Sequence, residues 1–275
     1  MTTKVVGFQG EPGAYSEEAI VQHYHREAEP KPCRTVSDVF NGVASGEMDA
    51  GMIPVENSIG GNVYESYDLL ISSNLHVIAE VYLKVHHCLI SNRGSRKEEL
   101  KKVYSHPQAL EQCRKFVSGL GAEMLSSYDT AGSVIAIKKS GAVDSAAIAS
   151  RRAADIYGLA VLAENIEDNP NNTTRFLVIS REQVVSAGKL KTSIVFQVPN
   201  TPGSLYNAMG LFAKRGINLT KIESRPSKER QWEYFFLLDF EGSTRESGAA
   251  DALDELRRIA TFVKVIGSYP EGVHS

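Results

Sequence analysis

Cysteine is scarce in this chain. Cys33, Cys88 and Cys113 are widely spaced and too few to pair completely, which points to reduced thiols and a cytoplasmic setting rather than a disulfide framework. Excess charge of one sign is lacking too. Net charge is −3 with basic residues scattered, so there is no electrostatic footprint for nucleic acid or an anionic membrane. No apolar run is long enough to span a bilayer, and Met1-Thr-Thr-Lys-Val-Val-Gly7 enters a strand without a basic or long apolar leader, which predicts neither secretion nor anchoring. What is present is a globular chain of 275 residues, 42% apolar and 23% charged, long enough for two domains.

Familiar catalytic signatures are missing as well. No Ser-His-Asp or Cys-His constellation follows from spacing, and no nucleophile motif occurs. In His86-His87-Cys88, neighbours in a strand point to opposite faces and no matching ligand pair lies nearby, so no metal is expected. His23 and His25 stand two apart on a helix and read as surface residues. The glycines after the first strand fall at Gly7, Gly10 and Gly13, with Pro12 between; that is not the dinucleotide fingerprint, and no cofactor is expected.

The residues up to about 181 read as alternating strands and helices. Val5-Val-Gly-Phe8 is a strand running into Gln9-Gly-Glu-Pro-Gly-Ala-Tyr-Ser16 and a helix to about Tyr24. Ser37 is placed to cap the next helix. Ala50-Gly-Met-Ile-Pro-Val55 is a buried strand leading to Glu56-Asn-Ser-Ile-Gly-Gly-Asn62, and Asn62 with Glu65 has capping-box spacing. Val103-Tyr104 leads to Ser105-His-Pro-Gln-Ala-Leu110, where Pro107 suits the first helical position. Met124-Leu125 leads to Ser126-Ser-Tyr-Asp-Thr-Ala-Gly-Ser133, with Asp129 or Thr130 as cap. Polar clusters therefore sit where strands stop and helices start. That pattern predicts an α/β domain with largely parallel sheets, whose loops gather several helix N-termini into a site for a small anion. The extended run 75–91 is placed to cross between two lobes, and a second crossing near Thr174 returns the chain. Glu167-Asp-Asn-Pro-Asn-Asn-Thr-Thr-Arg-Phe176 is a polar loop delivering its side chains to a sheet edge before Leu177-Val-Ile-Ser180.

Residues 182–191 read as a linker. Beyond them lies a βαββαβ order, the ferredoxin-like unit: strands at 192–198, 218–224, 232–240 and 262–266, helices from Pro202 to about Lys214 and over 249–259. Gly203 lets a backbone approach a ligand closely.

Gly10-Glu-Pro-Gly-Ala-Tyr-Ser16, Pro54-Val-Glu-Asn-Ser58, Ser105-His-Pro-Gln108, Asp129-Thr-Ala-Gly-Ser133, Asn172-Thr-Thr-Arg-Phe176, Gly203-Ser-Leu-Tyr206 and Glu223-Ser-Arg-Pro226 occur in this order. Together they resemble monofunctional prephenate dehydratase followed by an ACT regulatory domain. The resemblance implies a two-lobed catalytic domain like the type II periplasmic binding proteins over 1–181 and an ACT domain over 192–270. It implies conversion of prephenate to phenylpyruvate, carbon dioxide and water, arogenate dehydratase and a cytosolic solute sensor being the alternatives. Carried onto this sequence, Thr174, Glu56, Asn57 and Gln108 are catalytic, while Arg175, Phe176, Ser58, Ser105, His106, Thr130 and Ser133 hold the substrate. Gly203, Ser204, Leu205, Tyr206, Asn218, Leu219, Glu223, Ser224, Arg225 and Pro226 would bind phenylalanine between subunits of a dimer or tetramer. Arg175 is the expected bidentate clamp on a substrate carboxylate, sharing one pocket with Thr174, Glu56 and Gln108.

Overall fold

The computed structural model describes residues 3–184, 188–227 and 232–273. The chain divides into two compact units, residues 1–67, 81–177 and 273–275 against residues 68–80 and 178–272.

A first sheet is laid down by β1 (Lys4–Gln9), β2 (Ala28–Cys33), β3 (Ala50–Asn57), the short β4 (Gly61–Asn62) and β5 (His76–Lys84). Helices α1 (Tyr15–Tyr24), α2 (Val36–Ser45) and α3 (Tyr64–Ser72) alternate with them. The chain then builds a second sheet from β6 (Cys88–Ser91), β7 (Lys102–Ser105), β8 (Glu123–Ser126), β9 (Ser145–Ala149) and β10 (Ala160–Ala163). Its helices are α4 (Pro107–Gln112), α5 (Arg114–Leu120), α6 (Thr130–Ser140) and α7 (Arg151–Tyr157). Finally β11 (Thr173–Ser180) inserts between β3 and β5, giving β2-β1-β3-β11-β5 in one lobe and β10-β6-β9-β7-β8 in the other. The expected run 75–91 is broken at 85–87, where the chain crosses between lobes.

The second sheet is mixed rather than largely parallel: β7 is parallel to β8 and β9, whereas β6 is antiparallel to β9 and β10. The physical reason is that β6 brings the chain into the lobe and β10 takes it out. Every residue of β9 is buried, as suits a strand covered on both faces.

Local signals set the helix starts, with two corrections. Thr35, not Ser37, caps α2, forming a reciprocal capping box with Asp38. Asn62 lies in β4, paired with Glu56, and α3 begins two residues later at Tyr64, so the expected capping position shifts from Asn62 to Val63. Asp129 caps α6, Ser150 caps α7, and Pro107 occupies the first turn of α4 behind His106. Each such cap is worth about 1 kcal/mol.

The second unit runs β12 (Leu190–Gln197), α8 (Ser204–Ala213), β13 (Leu219–Pro226), β14 (Tyr234–Glu241), α9 (Ser247–Ile259) and β15 (Phe262–Pro270). This is the expected βαββαβ order, with β13-β14-β12-β15 across the sheet. Phe196, Phe212, Leu238, Phe240, Leu253 and Leu256 form its core. Its first helix starts at Ser204 because Gly203, at φ 85°, ends the preceding turn. The expected linker falls partly on residues 185–187, outside the described residues; β12 already begins at Leu190.

Residues 68–80 join this unit through three cations. Arg225 forks onto Asp68 at 3.0 and 2.9 Å. Lys264 Nζ donates to the carbonyls of Leu70 and Ile71 at 2.8 and 3.0 Å and to that of Ser73, satisfying the open end of α3. Lys191 Nζ meets Glu80 at 2.7 Å, both side chains buried. Among the described residues no helix is long and apolar enough to cross a membrane.

Candidate active site

Within the first unit a cavity of about 290 Å³ opens where strands end and helices begin. Ala14, Tyr15 and Ser16 reach it from the start of α1, Asp129 and Thr130 from the start of α6, and His106, Gln108, Ala109 and Gln112 from α4. Thr174 and Phe176 face it from β11, and Asn57 from the end of β3. Ala14 offers no side-chain cap to the first amides of α1 at this wall, while Glu17 and Glu18 in that turn offset the positive end of the dipole.

A chain of amide side chains runs beneath the cavity, and its direction is forced. Asn57 Oδ1 accepts the backbone N–H groups of Ile59 and Gly60 at 3.1 and 2.7 Å; a backbone amide can only donate, so this atom is the oxygen. Asn57 Nδ2 must then donate, reaching Asn172 Oδ1 at 2.7 Å and Thr174 Oγ1 at 3.0 Å. Gln112 Nε2 donates to the same Asn57 oxygen at 3.3 Å, leaving Gln112 Oε1 to accept from Asn172 Nδ2 at 2.9 Å. Thr174 is thus an acceptor toward Asn57, and among the described residues its hydroxyl donates to no protein acceptor.

The two crossings between lobes are tied together. Val85 N–H donates to Asn172 O at 2.8 Å, and Ile166 N–H to His87 O at 3.1 Å. The Glu167 carboxylate accepts the His87 amide and contacts His86 Nδ1, both at 2.9 Å. Burial raises the Glu167 pKa, but the His87 amide, its own amide and His86 outweigh this and hold it below the usual carboxylate value. Burial lowers the His87 pKa, and also that of His106, where Asp129 partly opposes it. The half-buried Tyr15 phenol is held well above its ordinary value, first by desolvation and then by Glu18.

Of the residues singled out in the sequence, Thr174, Asn57, Gln108, His106, Thr130 and Phe176 meet at this cavity. Arg175 does not. It is buried and absent from the cavity wall, because alternate residues of a strand face opposite ways and Thr174 and Phe176 hold the cavity side. The expectation that Thr174 and Arg175 share the pocket is therefore corrected; Glu56 is likewise not among the lining residues, although its neighbours Pro54 and Asn57 on β3 are. Ser58 bonds Asn171 O at 2.8 Å, buried Ser105 bonds Ile148 O at 2.6 Å, and Ser133 bonds Asp129 O at 2.6 Å; all three secure backbone rather than line the cavity.

Sequence reasoning overlooked Gln112, Asn172, Tyr15 and His87 as parts of the site. Gln112 had a signal: it lies four residues after Gln108, hence on the same helix face. His87 had none, since only tertiary structure brings Tyr15 and Gln112 to it.

In the second unit, Gly203 and Ser204 open α8, with Ser204 Oγ 2.7 Å from Thr201 Oγ1. Tyr206 is 79% exposed, whereas Leu205 and Leu219 pack against the core. Asn218 Nδ2 donates to Glu241 at 3.2 Å. Glu223, Ser224 and Pro226 lie along β13 with Arg225, whose guanidinium engages Asp68.

A family model described as prephenate dehydratase matches residues 6–184, and one described as ACT domain matches residues 192–258. The chain is 43% identical to arogenate dehydratase/prephenate dehydratase 1, chloroplastic, of Arabidopsis thaliana, covering 96% of this chain and 71% of that one. Among solved structures, prephenate dehydratase from Arthrobacter aurescens in complex with L-Phe superposes with a TM-score of 0.89 at 34% identity, covering 97% and 90% of the two chains. GqqA, described as a novel type of quorum quenching acylase, also gives 0.89 at 34% identity, covering 97% and 98%.

Proposed function

The chain belongs to the prephenate dehydratase family and carries an ACT domain, and we propose that it converts prephenate to phenylpyruvate, carbon dioxide and water under control by L-phenylalanine. The observation that carries this reading is Thr174 Oγ1, which accepts from Asn57 at the wall of a cavity flanked by the starts of α1 and α6 and so keeps its proton for a ligand.

Prephenate bears two carboxylates and a ring hydroxyl para to one of them. Loss of carbon dioxide sends an electron pair into the ring and expels the hydroxyl, so aromatisation drives the step without redox chemistry. Thr174 donates to the departing oxygen, which leaves as water with a proton drawn from solvent. The Asn57 amide, donating to Thr174 Oγ1, makes that hydroxyl a better donor. A positioned acid of this kind is worth roughly 10²–10⁴-fold. Backbone amides at the start of α1 take the role sequence reasoning gave to Arg175, since the start of α6 is already neutralised by its Asp129 cap. An amide beside the hydroxyl cannot remove its proton, so the arrangement does not favour the nucleophilic attack that an acylase would need.

We further propose a catalytic domain over 1–181 and an ACT domain whose first strand is β12 and which ends near 270, binding phenylalanine at Gly203–Tyr206 and β13 between subunits, in a cytoplasmic enzyme. The Arabidopsis relative's printed name favours a second reading, in which the substrate is arogenate, with an amine replacing the keto oxygen. Incubation with each substrate, following phenylpyruvate by its absorbance in alkali and phenylalanine by chromatography, decides between them. Turnover of neither overturns the proposal.

A further inference from the structure

His87 lies in the first crossing between the lobes, 2% exposed, at the wall of the cavity. Its ring is held from both sides. Nε2 is 2.9 Å from Gln112 Oε1, and Nδ1 is 2.7 Å from the Tyr15 hydroxyl. Gln112 Oε1 is already established as an acceptor by the direction of the amide chain, so Nε2 must carry a proton. In the neutral ring Nδ1 is then the acceptor, and the single proton of the Tyr15 hydroxyl is shared between it and the His86 carbonyl oxygen, which lies 2.9 Å away.

We propose that His87 is a positioning residue for this reaction: a neutral imidazole protonated on Nε2, joining Tyr15 of one lobe to Gln112 of the other and holding Gln112 in the orientation that leaves the Thr174 proton free. The inference rests on the reading of Thr174 given above. Were Gln112 to turn over, its oxygen would face Asn57 Oδ1 and its nitrogen would face Asn172 Nδ2, two repulsive pairs. Asn57 would lose its Gln112 contact and Asn172 its acceptor, leaving the Ile59 and Gly60 amides alone to orient the donor to Thr174. His87 opposes that turn from the far end of the chain, as Ile59 and Gly60 do from the near end.

The groups facing the ring agree with a neutral state. Tyr15 on α1 and Gln112 on α4 are uncharged partners. Of the charged groups in the crossings, Glu167 is engaged by His86 and by the His87 amide rather than the imidazole. Burial moves the ring pKa down, outweighing the opposing pulls of Gln112 and Glu167.

Three measurements test this on the full-length protein. In long-range proton–nitrogen NMR of histidine-labelled enzyme, His87 should show the neutral Nε2–H pattern at pH 7 and keep it below the ordinary histidine range. An Nδ1–H or doubly protonated ring overturns the proposal. His87→Leu should lower kcat about tenfold, the order of one lost hydrogen bond, with KM changed less than twofold. His87→Gln, which restores a donor toward Gln112, should recover most of that loss. Equal losses in the two variants, or wild-type kcat in His87→Leu, overturn it, and should His87→Leu not fold, the NMR signature decides alone. Thr174→Ala is run alongside: near-normal turnover there refutes the donor assignment to Thr174, whereas loss there with an unaffected His87→Leu refutes only the role of His87.

Discussion

Asn57 Nδ2 donates to Thr174 Oγ1 across 3.0 Å, while the oxygen of the same amide is pinned by the Ile59 and Gly60 backbone. Residues 117 positions apart are thereby locked in a one-way relationship, and the hydroxyl proton is not spent on Asn57.

Thr174→Ala should therefore lose roughly 10²–10⁴-fold in kcat while remaining folded. Asn57→Asp replaces a donor with an acceptor toward both Thr174 and Asn172 and should lose kcat on the same scale. Phenylpyruvate release and a thermal melt of each variant provide the check; near-normal turnover by Thr174→Ala would rule the assignment out.

Arg175 sits on the opposite face of β11 from Thr174. Arg175→Lys should consequently leave KM within about twofold of wild type, since no lost substrate fork is involved, and instead lower the melting temperature. A KM increase of tenfold or more with unchanged stability would restore Arg175 to the substrate.

Acid should weaken the fold in two stages. His87 has a folded-state pKa below the ordinary 6.5, so the unfolded chain takes up protons first and stability falls as pH drops from 6.5 through the folded value. His23 and His106 shift the same way by partial desolvation, but both are exposed and solvent screens their share. Glu167, depressed below 4.5, keeps its contribution above 4.5 and loses it as pH falls through its folded value. Glu18, raised by burial, works in the opposite sense. Melting temperature measured from pH 7 to pH 3.5 should decline, and His87→Gln should flatten the part near pH 6. An unaltered slope in that variant would mean that His87 is not titrating.

Lys191 and Glu80 are a buried pair at 2.7 Å, with Gly272 N–H also donating to Glu80 at 2.9 Å. Lys191→Met withdraws the countercharge from a buried carboxylate and should cost about 3 kcal/mol in chemical denaturation. A loss below about 1 kcal/mol would show that the carboxylate finds other compensation.

Saturating L-phenylalanine should lower kcat/KM, with a coupling of about 1–3 kcal/mol between effector and substrate. Gly203→Val forces a branched side chain into a left-handed conformation at φ 85° and should weaken the response about tenfold, the order of the backbone cost. Calorimetric titration and light scattering report binding and subunit arrangement. No change in activity or assembly with saturating phenylalanine would end the effector reading.

Much of this protein was legible along the chain. Helix starts followed from local chemistry: Asp129 before Thr130, and Pro107 behind His106. The βαββαβ order followed from periodicity, and the motifs carried the family. Position 175 shows where such reading stops. A motif places Thr174 and Arg175 side by side, yet strand geometry sends them to opposite faces, and which face meets the cavity depends on β11 lying between β3 and β5. His87 shows the same limit from the other direction. Nothing in His86-His87-Cys88 indicates that one imidazole will be gripped by a tyrosine 72 positions earlier and a glutamine 25 positions later. The sequence by itself determined the elements, their order and the chemical groups available, because these depend on local propensity. Tertiary structure alone decided which groups share a cavity and which way their hydrogen bonds run, because that requires strands and crossings distant in the chain to meet within 3 Å.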